Sequence, residues 1–207
     1  MRYHRIPDET VRRLPIYLRC LLSLTEEGLE KTSSQKLADS LGTNPWQIRK
    51  DFSYFGDFGT RGVGYKIDKL KKQINKILKL DVKHKAALIG AGNLGSAVLA
   101  YPGFKVYGFD IAAVFDIAPE KISRRIGNID IEDVSNIPTL SERDIKLAIL
   151  TIPLDAAQKT ADALVEAGIR GILNFSPQHI TVPKKVKVIS IDIAMDLARL
   201  PYYMPAC

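Results

Sequence analysis

The run Ala86-Ala87-Leu88-Ile89-Gly90-Ala91-Gly92-Asn93-Leu94-Gly95 constrains this chain more than any other stretch. Four apolar residues read as a buried strand, and the six that follow are G-x-G-x-x-G. Alone, that glycine pattern arises by chance. Here it sits behind an apolar strand and opens a helix-forming segment, Leu94 to Tyr101, which is the context of a dinucleotide-binding turn. Gly90 permits the tight turn, Gly92 lets the backbone approach a pyrophosphate, and Gly95 lets helix and strand pack closely. The helix N-terminus supplies unpaired N–H groups and partial positive charge to phosphates. Gly90, Ala91, Gly92, Asn93, Leu94 and Gly95 are therefore candidate cofactor residues.

Asp116 follows Gly95 by 21 residues, at the end of a second expected strand, Ala112–Phe115. A carboxylate there accepts hydrogen bonds from adenine-side ribose hydroxyls and repels a 2′-phosphate, which favours NADH and NAD+ over their phosphorylated forms. The alternative is a turn residue ahead of Pro119. Further strands are expected at Leu147–Thr151, Gly171–Leu173 and Val186–Ile191, with a helix from Asp155 to Ala167 ended by Gly168. Alternating strands and helices predict a parallel sheet covered by helices. Ligands bind at the carboxyl ends of such strands, so Thr151, Ile152, Pro153, Asn174, Phe175 and Ser176 are candidates for the nicotinamide side, against plain loop structure.

The chain is 207 residues long with a net charge of +7, and that charge is unevenly placed. Residues 1–85 carry 18 Lys/Arg against 10 Asp/Glu, and residues 86–207 carry 12 against 13. The whole surplus lies in the first segment, which points to a polyanionic partner or to a solvated basic face. Apolar residues recur at helical spacing from Asp8 to Glu27, with Pro15 expected to kink or restart the helix. Ser33 or Ser34 caps a second helix, Gln35–Leu41; Gly42 and Thr43 make a turn; Asn44 caps a third helix, Trp46–Phe55, stopped by Gly56. Ile48, Phe52 and Phe55 share its buried face. Trp46, Gln47, Arg49, Lys50, Ser53 and Tyr54 lie opposite, a set suited to phosphates and base edges. Residues 57–65 read as a small hairpin whose tip, Thr60-Arg61-Gly62, would carry Arg61 into a minor groove. An ordinary solvated helix face and an exposed loop are the alternatives. Asp68–Leu80 is a lysine-rich amphipathic helix and Asp81–Lys85 a linker.

The two cysteines, Cys20 and Cys207, form no disulfide framework, and His4, His84 and His179 are too dispersed for a metal site. No metal is expected. The first residues lack a signal peptide's apolar stretch and no run of 18 apolar residues occurs, so neither secretion nor a membrane span is expected, and the cytoplasm is the default.

Together these residues resemble the Rex family of bacterial redox-sensing repressors. The resemblance is carried by Leu14–Arg19 (Leu-Pro-Ile-Tyr-Leu-Arg), Ile48–Gly56 (Ile-Arg-Lys-Asp-Phe-Ser-Tyr-Phe-Gly), Gly59–Tyr65 (Gly-Thr-Arg-Gly-Val-Gly-Tyr) and Gly90–Ala97. Tyr101–Phe104, Gly171–Pro177 and Ile191–Leu197 extend it over nearly the whole chain. It implies a winged helix-turn-helix domain (1–80), a Rossmann-type doubly wound α/β domain (81–190) and a C-terminal helix (191–207) swapped between the subunits of a homodimer. It also implies palindromic double-stranded operator DNA as partner, bound with NAD+ and released by NADH. Asp192 would belong to a polar latch alternating between Tyr101 and Arg19. Ile193 stands where the family often carries a bulkier aromatic residue. Independently, the apolar residues from Ile189 to Met204 would leave a large exposed patch on a monomer, which insertion into a second copy would bury; packing on its own domain is the alternative.

Two rival classes remain. A small NAD-dependent oxidoreductase would need a substrate domain, for which about 110 residues of nucleotide fold leave no room, and proton-handling residues that are not found. A bare NAD-binding scaffold that docks on a protein would not bind DNA.

Overall fold

Helix α1 (Asp8–Glu26) is continuous through Pro15, so the expected restart does not occur. Proline removes one helical hydrogen bond, but Leu14, Tyr17, Leu18, Leu21 and Leu24 form one buried stripe on either side of it, and their packing outweighs the loss. The computed structural model describes residues 6–60 and 62–204, and it divides into two units, Met1–Val82 and Lys83–Cys207.

In the first unit a two-residue strand β1 (Lys31–Thr32) follows α1. Helix α2 (Ser34–Leu41) is capped by Ser33, whose hydroxyl accepts from Lys36 N–H. Helix α3 (Pro45–Ser53) is capped by Asn44, whose carbonyl accepts from Trp46 N–H at 2.8 Å, with Pro45 in the first turn. It ends two residues before the expected boundary. Strand β2 (Tyr65–Lys66) pairs antiparallel with β1, and helix α4 (Ile67–Leu78) closes the unit. The hairpin read at 57–65 is a loop closed by one bridge, Thr60 to Gly64, while the ladder at its base comes from the distant β1. This is a winged helix-turn-helix. Phe52 is its hub: its ring meets Tyr17 at 5.4 Å, Phe58 at 5.0 Å and Tyr65 at 5.4 Å, joining α1, α3 and the wing.

Asp51 is the unexpected feature of this core. It is fully buried, and its carboxylate accepts from Thr10 Oγ1 (3.1 Å), Arg13 Nε (2.6 Å) and Nη2 (2.8 Å), Tyr17 OH (2.6 Å) and Gln47 Nε2 (2.9 Å). Burial alone would raise its pKa. The hydrogen bonds from Arg13, Tyr17, Gln47 and Thr10 outweigh that and hold it below the ordinary carboxylate value. Burial and donation to Asp51 push the Tyr17 hydroxyl above its ordinary range.

The second unit runs β3 (His84–Ile89), α5 (Asn93–Ala100), α6 (Gly103–Val106), β4 (Phe109–Asp116), β5 (Arg125–Ile126), β6 (Ile129–Asp133), β7 (Leu147–Leu150), α7 (Leu154–Glu166), β8 (Gly171–Asn174), β9 (Lys187–Ser190) and α8 (Ile193–Ala198). A 3-10 segment, Val134–Ser141, crosses between β6 and β7, and another, Leu200–Tyr203, follows α8. The sheet order is β5-β6-β4-β3-β7-β8-β9, with every pair parallel except the edge hairpin β5–β6. From β6 to β9 this is the doubly wound order in which the chain reverses between β3 and β7. One sheet face packs on α7 through Ala157, Ala161 and Leu164, and the other carries Leu88, Val114 and Ile149 beneath α5. The first strand begins at His84, inside the expected linker.

Asp51→Asn should destabilise the first unit by about 3 kcal/mol in urea unfolding, since an amide presents donors to Arg13 and Tyr17 and leaves a cation unpaired. Because the carboxyl pKa is lowered by folding, its contribution is complete above about pH 4 and is lost as pH falls through the folded value. The parent should therefore show a larger acid loss of stability than the variant.

Candidate cofactor site and nucleic-acid interface

The three motif glycines have three separate physical reasons. Gly90 has φ +97°, and a Cβ there would meet Thr151 O at 2.6 Å. A Cβ on Gly95 would run into the carbonyl oxygen of Gly90, while one on Gly92 would meet nothing within 4 Å. The first turns the chain, the third packs α5 on the strand, and the second faces open space. Thr151 is a brace: its hydroxyl donates to Gly90 O at 2.7 Å, and its N–H to Ile89 O at 2.9 Å. Asn93 and Leu94 open α5, where backbone N–H groups lack helical partners, and Ala91 precedes its N-cap, Gly92.

Asp116 ends β4, directly beside this loop. Its Oδ2 accepts from Ala91 N–H at 2.7 Å and from Lys121 Nζ at 3.1 Å, and its Oδ1 accepts from Ala118 N–H at 2.9 Å. Burial works against ionisation, but these donors hold the carboxyl below its ordinary value, so it is an anion at neutral pH. The sequence pattern singled out Asp116 but not Lys121, which the structure places in contact with it. Ile117, the next residue after Asp116, is 76% exposed.

The later strand ends divide. Pro153 is exposed at the start of α7. Asn174 is fully buried, and its amide is turned inward: Nδ2 donates to Ser176 O (3.2 Å) and Gln178 O (2.9 Å), while Oδ1 accepts from Ser176 N–H (2.9 Å). It braces the strand-end loop. Ser176 is buried, and its hydroxyl has no hydrogen-bond partner among the described residues.

On α3, Trp46, Arg49, Lys50 and Ser53 are exposed. Lys50 Nζ lies 4.8 Å from the centre of the Trp46 ring, and Arg49 Nη1 donates to Ser34 Oγ at 2.8 Å. These contacts hold the two cations in place. Ser53 donates back to Lys50 O, and Tyr54 and Phe55 are half-buried. Gln47 differs from expectation: it is half-buried with its amide nitrogen committed to Asp51. Thr60 and Gly62 are exposed on the wing, and Arg61 lies outside the described residues. Asp51 itself was missed, although it is the acidic residue of a basic helix and falls three residues after Ile48, on the buried side.

The remaining assigned residues are also placed. Arg19 is exposed on α1 in the first unit. Tyr101 is 61% exposed, and Asp192 caps α8 by accepting from Met195 N–H at 3.1 Å. Ile193, Met195, Leu197, Leu200, Tyr202 and Tyr203 are all more than half exposed. A groove of about 620 Å³ also lies open over β7 to β9, lined by Leu147, Ile149, Leu173 and Ile189 with Tyr101 and Phe104. No helix among the described residues is long and apolar enough to cross a membrane, and no His, Cys, Asp and Glu group among them could hold a metal ion.

A winged helix joined to a doubly wound sheet with a nucleotide-type glycine turn defines a two-domain transcription regulator with a cofactor-binding fold. The family description "Putative DNA-binding protein N-terminus" matches residues 5–53, and "CoA binding domain" matches residues 81–178. Redox-sensing transcriptional repressor Rex of Chloroflexus aurantiacus is 44% identical over 96% of this chain and 94% of its own. Rex of Thermus thermophilus is 43% identical over 96% and 93%. The crystal structure of RSP in complex with beta-NAD+ and operator DNA superposes with a TM-score of 0.91 at 37% identity, covering 96% of this chain and 92% of that one. RSP in complex with beta-NADH gives 0.88 at 35%, over 96% and 94%. The chain belongs to the Rex family of redox-sensing transcriptional repressors.

The glycine geometry separates two variants. Gly95→Ala should lower the melting temperature of the second unit and weaken dinucleotide binding, since the Gly90 carbonyl must move. Gly92→Ala should leave melting unchanged and affect ligand binding alone, as calorimetry and ligand titration would reveal.

Proposed function

We propose that this chain represses transcription by holding palindromic operator DNA as a homodimer, and that NADH, but not NAD+, releases it. The observation that carries the reading is the pairing in one chain of an outward cationic recognition helix with a glycine loop whose three glycines serve turn, open space and helix packing respectively. RSP, 37% identical over nearly the whole chain, is seen with beta-NAD+ and operator DNA together, which supports the same pairing of ligands here. The oxidoreductase reading loses its ground, because relatives matching at full length carry the name of a repressor. The site of action is then the cytoplasm, where operator DNA lies.

At the DNA, Arg49 and Lys50 read or clamp the duplex from α3, assisted by Trp46, Ser53 and Tyr54, while Thr60, Arg61 and Gly62 form the wing tip. Gln47 contributes through its position on Asp51. At the cofactor, residues 90–95 take the pyrophosphate, Asp116 the adenine-side ribose, and Pro153 and Ser176 the nicotinamide side, with Thr151 and Asn174 shaping the loops. The nicotinamide ring is cationic in NAD+ and neutral in NADH, and an apolar enclosure favours the neutral form. The exposed apolar segment after Ile189 and the open sheet face support a second copy as their cover. A ligand can rotate such a dimer only by binding one geometry better than the other. Recognition helices must stand about 34–36 Å apart to enter successive major grooves, so a modest rotation ends DNA binding.

Binding of a palindromic operator duplex, titrated separately with NADH and NAD+, tests the whole reading. Release by NADH alone is expected; equal effects of the two cofactors would refute it. Arg49→Ala and Lys50→Ala should each weaken the operator complex by about 1–3 kcal/mol where a base contact is lost. Loss of a phosphate contact should reduce the salt slope by about 1. Parent-like binding by both would remove α3 as the reader. Asp192→Ala should lose about 1 kcal/mol of capping stability yet still bind NADH. If Asp192 is the switch, the NADH-induced change in DNA affinity should largely vanish in that variant; if it only caps α8, the response persists.

A further inference from the structure

The Asp116 carboxylate is not free to meet a ribose alone. A carboxylate has about four lone-pair sites. Three are filled: Oδ2 by Ala91 N–H and Lys121 Nζ, and Oδ1 by Ala118 N–H. One is left for a ribose that offers two hydroxyls. Lys121 brings what the carboxylate then lacks. Its ammonium has three donors, of which one is spent on Asp116, and its side chain is 32% exposed, so a ligand beside Asp116 can reach it. The loop that carries it is fixed close by: Lys121 N–H donates to Ala118 O at 2.9 Å, and Arg124 N–H to Lys121 O at 3.0 Å.

We infer that Lys121 is a specificity-determining residue, meeting the adenine-side ribose together with Asp116 and setting how strongly the site rejects a 2′-phosphate. Asp116 accepts from one hydroxyl and Lys121 donates to the other. The inference rests on the cofactor reading above and alters one part of it. An isolated carboxylate would repel a 2′-phosphate outright. Paired with an ammonium 3.1 Å away, it presents no net charge, and the ammonium offers the phosphate a partner. Selectivity against the phosphorylated cofactor is thus a balance between two side chains, and Lys121 moderates it.

Calorimetric titration of the full-length protein with NADH and with NADPH, in parent, Lys121→Met, Lys121→Arg and Asp116→Ala, tests this. Lys121→Met should weaken NADPH binding by about tenfold more than it weakens NADH binding, the scale of one charge-assisted hydrogen bond. Lys121→Arg keeps the charge and should restore the parent ratio to within about threefold. If Lys121→Met weakens both cofactors equally, the lysine only orders the loop and the inference fails. It fails too if the ratio is unchanged or narrows. Asp116→Ala separates this failure from failure of the site itself: a parent-like NADH affinity in that variant would overturn the cofactor reading, whereas a weakened one alongside an unmoved Lys121→Met ratio would overturn only the role of Lys121.

Discussion

One buried carboxylate holds the DNA-reading unit together. Helix α3 is nine residues long, too short to persist by itself in water. Asp51 fastens it to α1 through Thr10, Arg13 and Tyr17, three residues on consecutive turns of that helix. A half-satisfied buried charge would cost more than it contributes, but here the carboxylate is saturated with donors. The orientation of Arg49 and Lys50 toward solvent follows from this, because a helix pinned on one face has no freedom to roll. Phe52, the next residue, extends the same anchorage to the wing through Phe58 and Tyr65.

The second unit solves a different problem, that of bringing backbone close to a charged ligand. Strand β3 pairs with β4 on one side and β7 on the other, so its carboxyl end stands where the sheet reverses. Gly90 can turn there because Thr151, at the end of β7, holds its carbonyl, and Asp116, at the end of β4, holds the neighbouring Ala91 N–H. The ends of three strands thus converge on one turn.

The glycine turn was legible because its requirements are local and follow from sequence spacing: φ at Gly90, space at Gly92, proximity at Gly95. The Asn44-Pro45 start of α3 was legible for the same reason, and the cap of α2 was legible to within Ser33 or Ser34, of which the structure uses Ser33. What escaped depends on partners far along the chain. Strand β1 has two residues and exists only because Tyr65–Lys66 lie against it. The β5–β6 hairpin carries a Gly127-Asn128 turn signal, but one flank is only two residues long. Pro15 obeyed its local rule less than its neighbours' burial. Asn174 and Gln47 have polar side chains in ligand-facing positions of the pattern, yet both serve internal hydrogen bonds, a distinction that periodicity does not carry.

The C-terminal segment has a consequence for how stability itself behaves. Residues that remain apolar and exposed on one chain are stabilised only by whatever covers them, and a cover supplied by another copy acts through mass action. Resistance to unfolding then becomes a function of how many copies the cell holds. Where a second copy is that cover, dilution loosens the protein without any change in temperature or solvent.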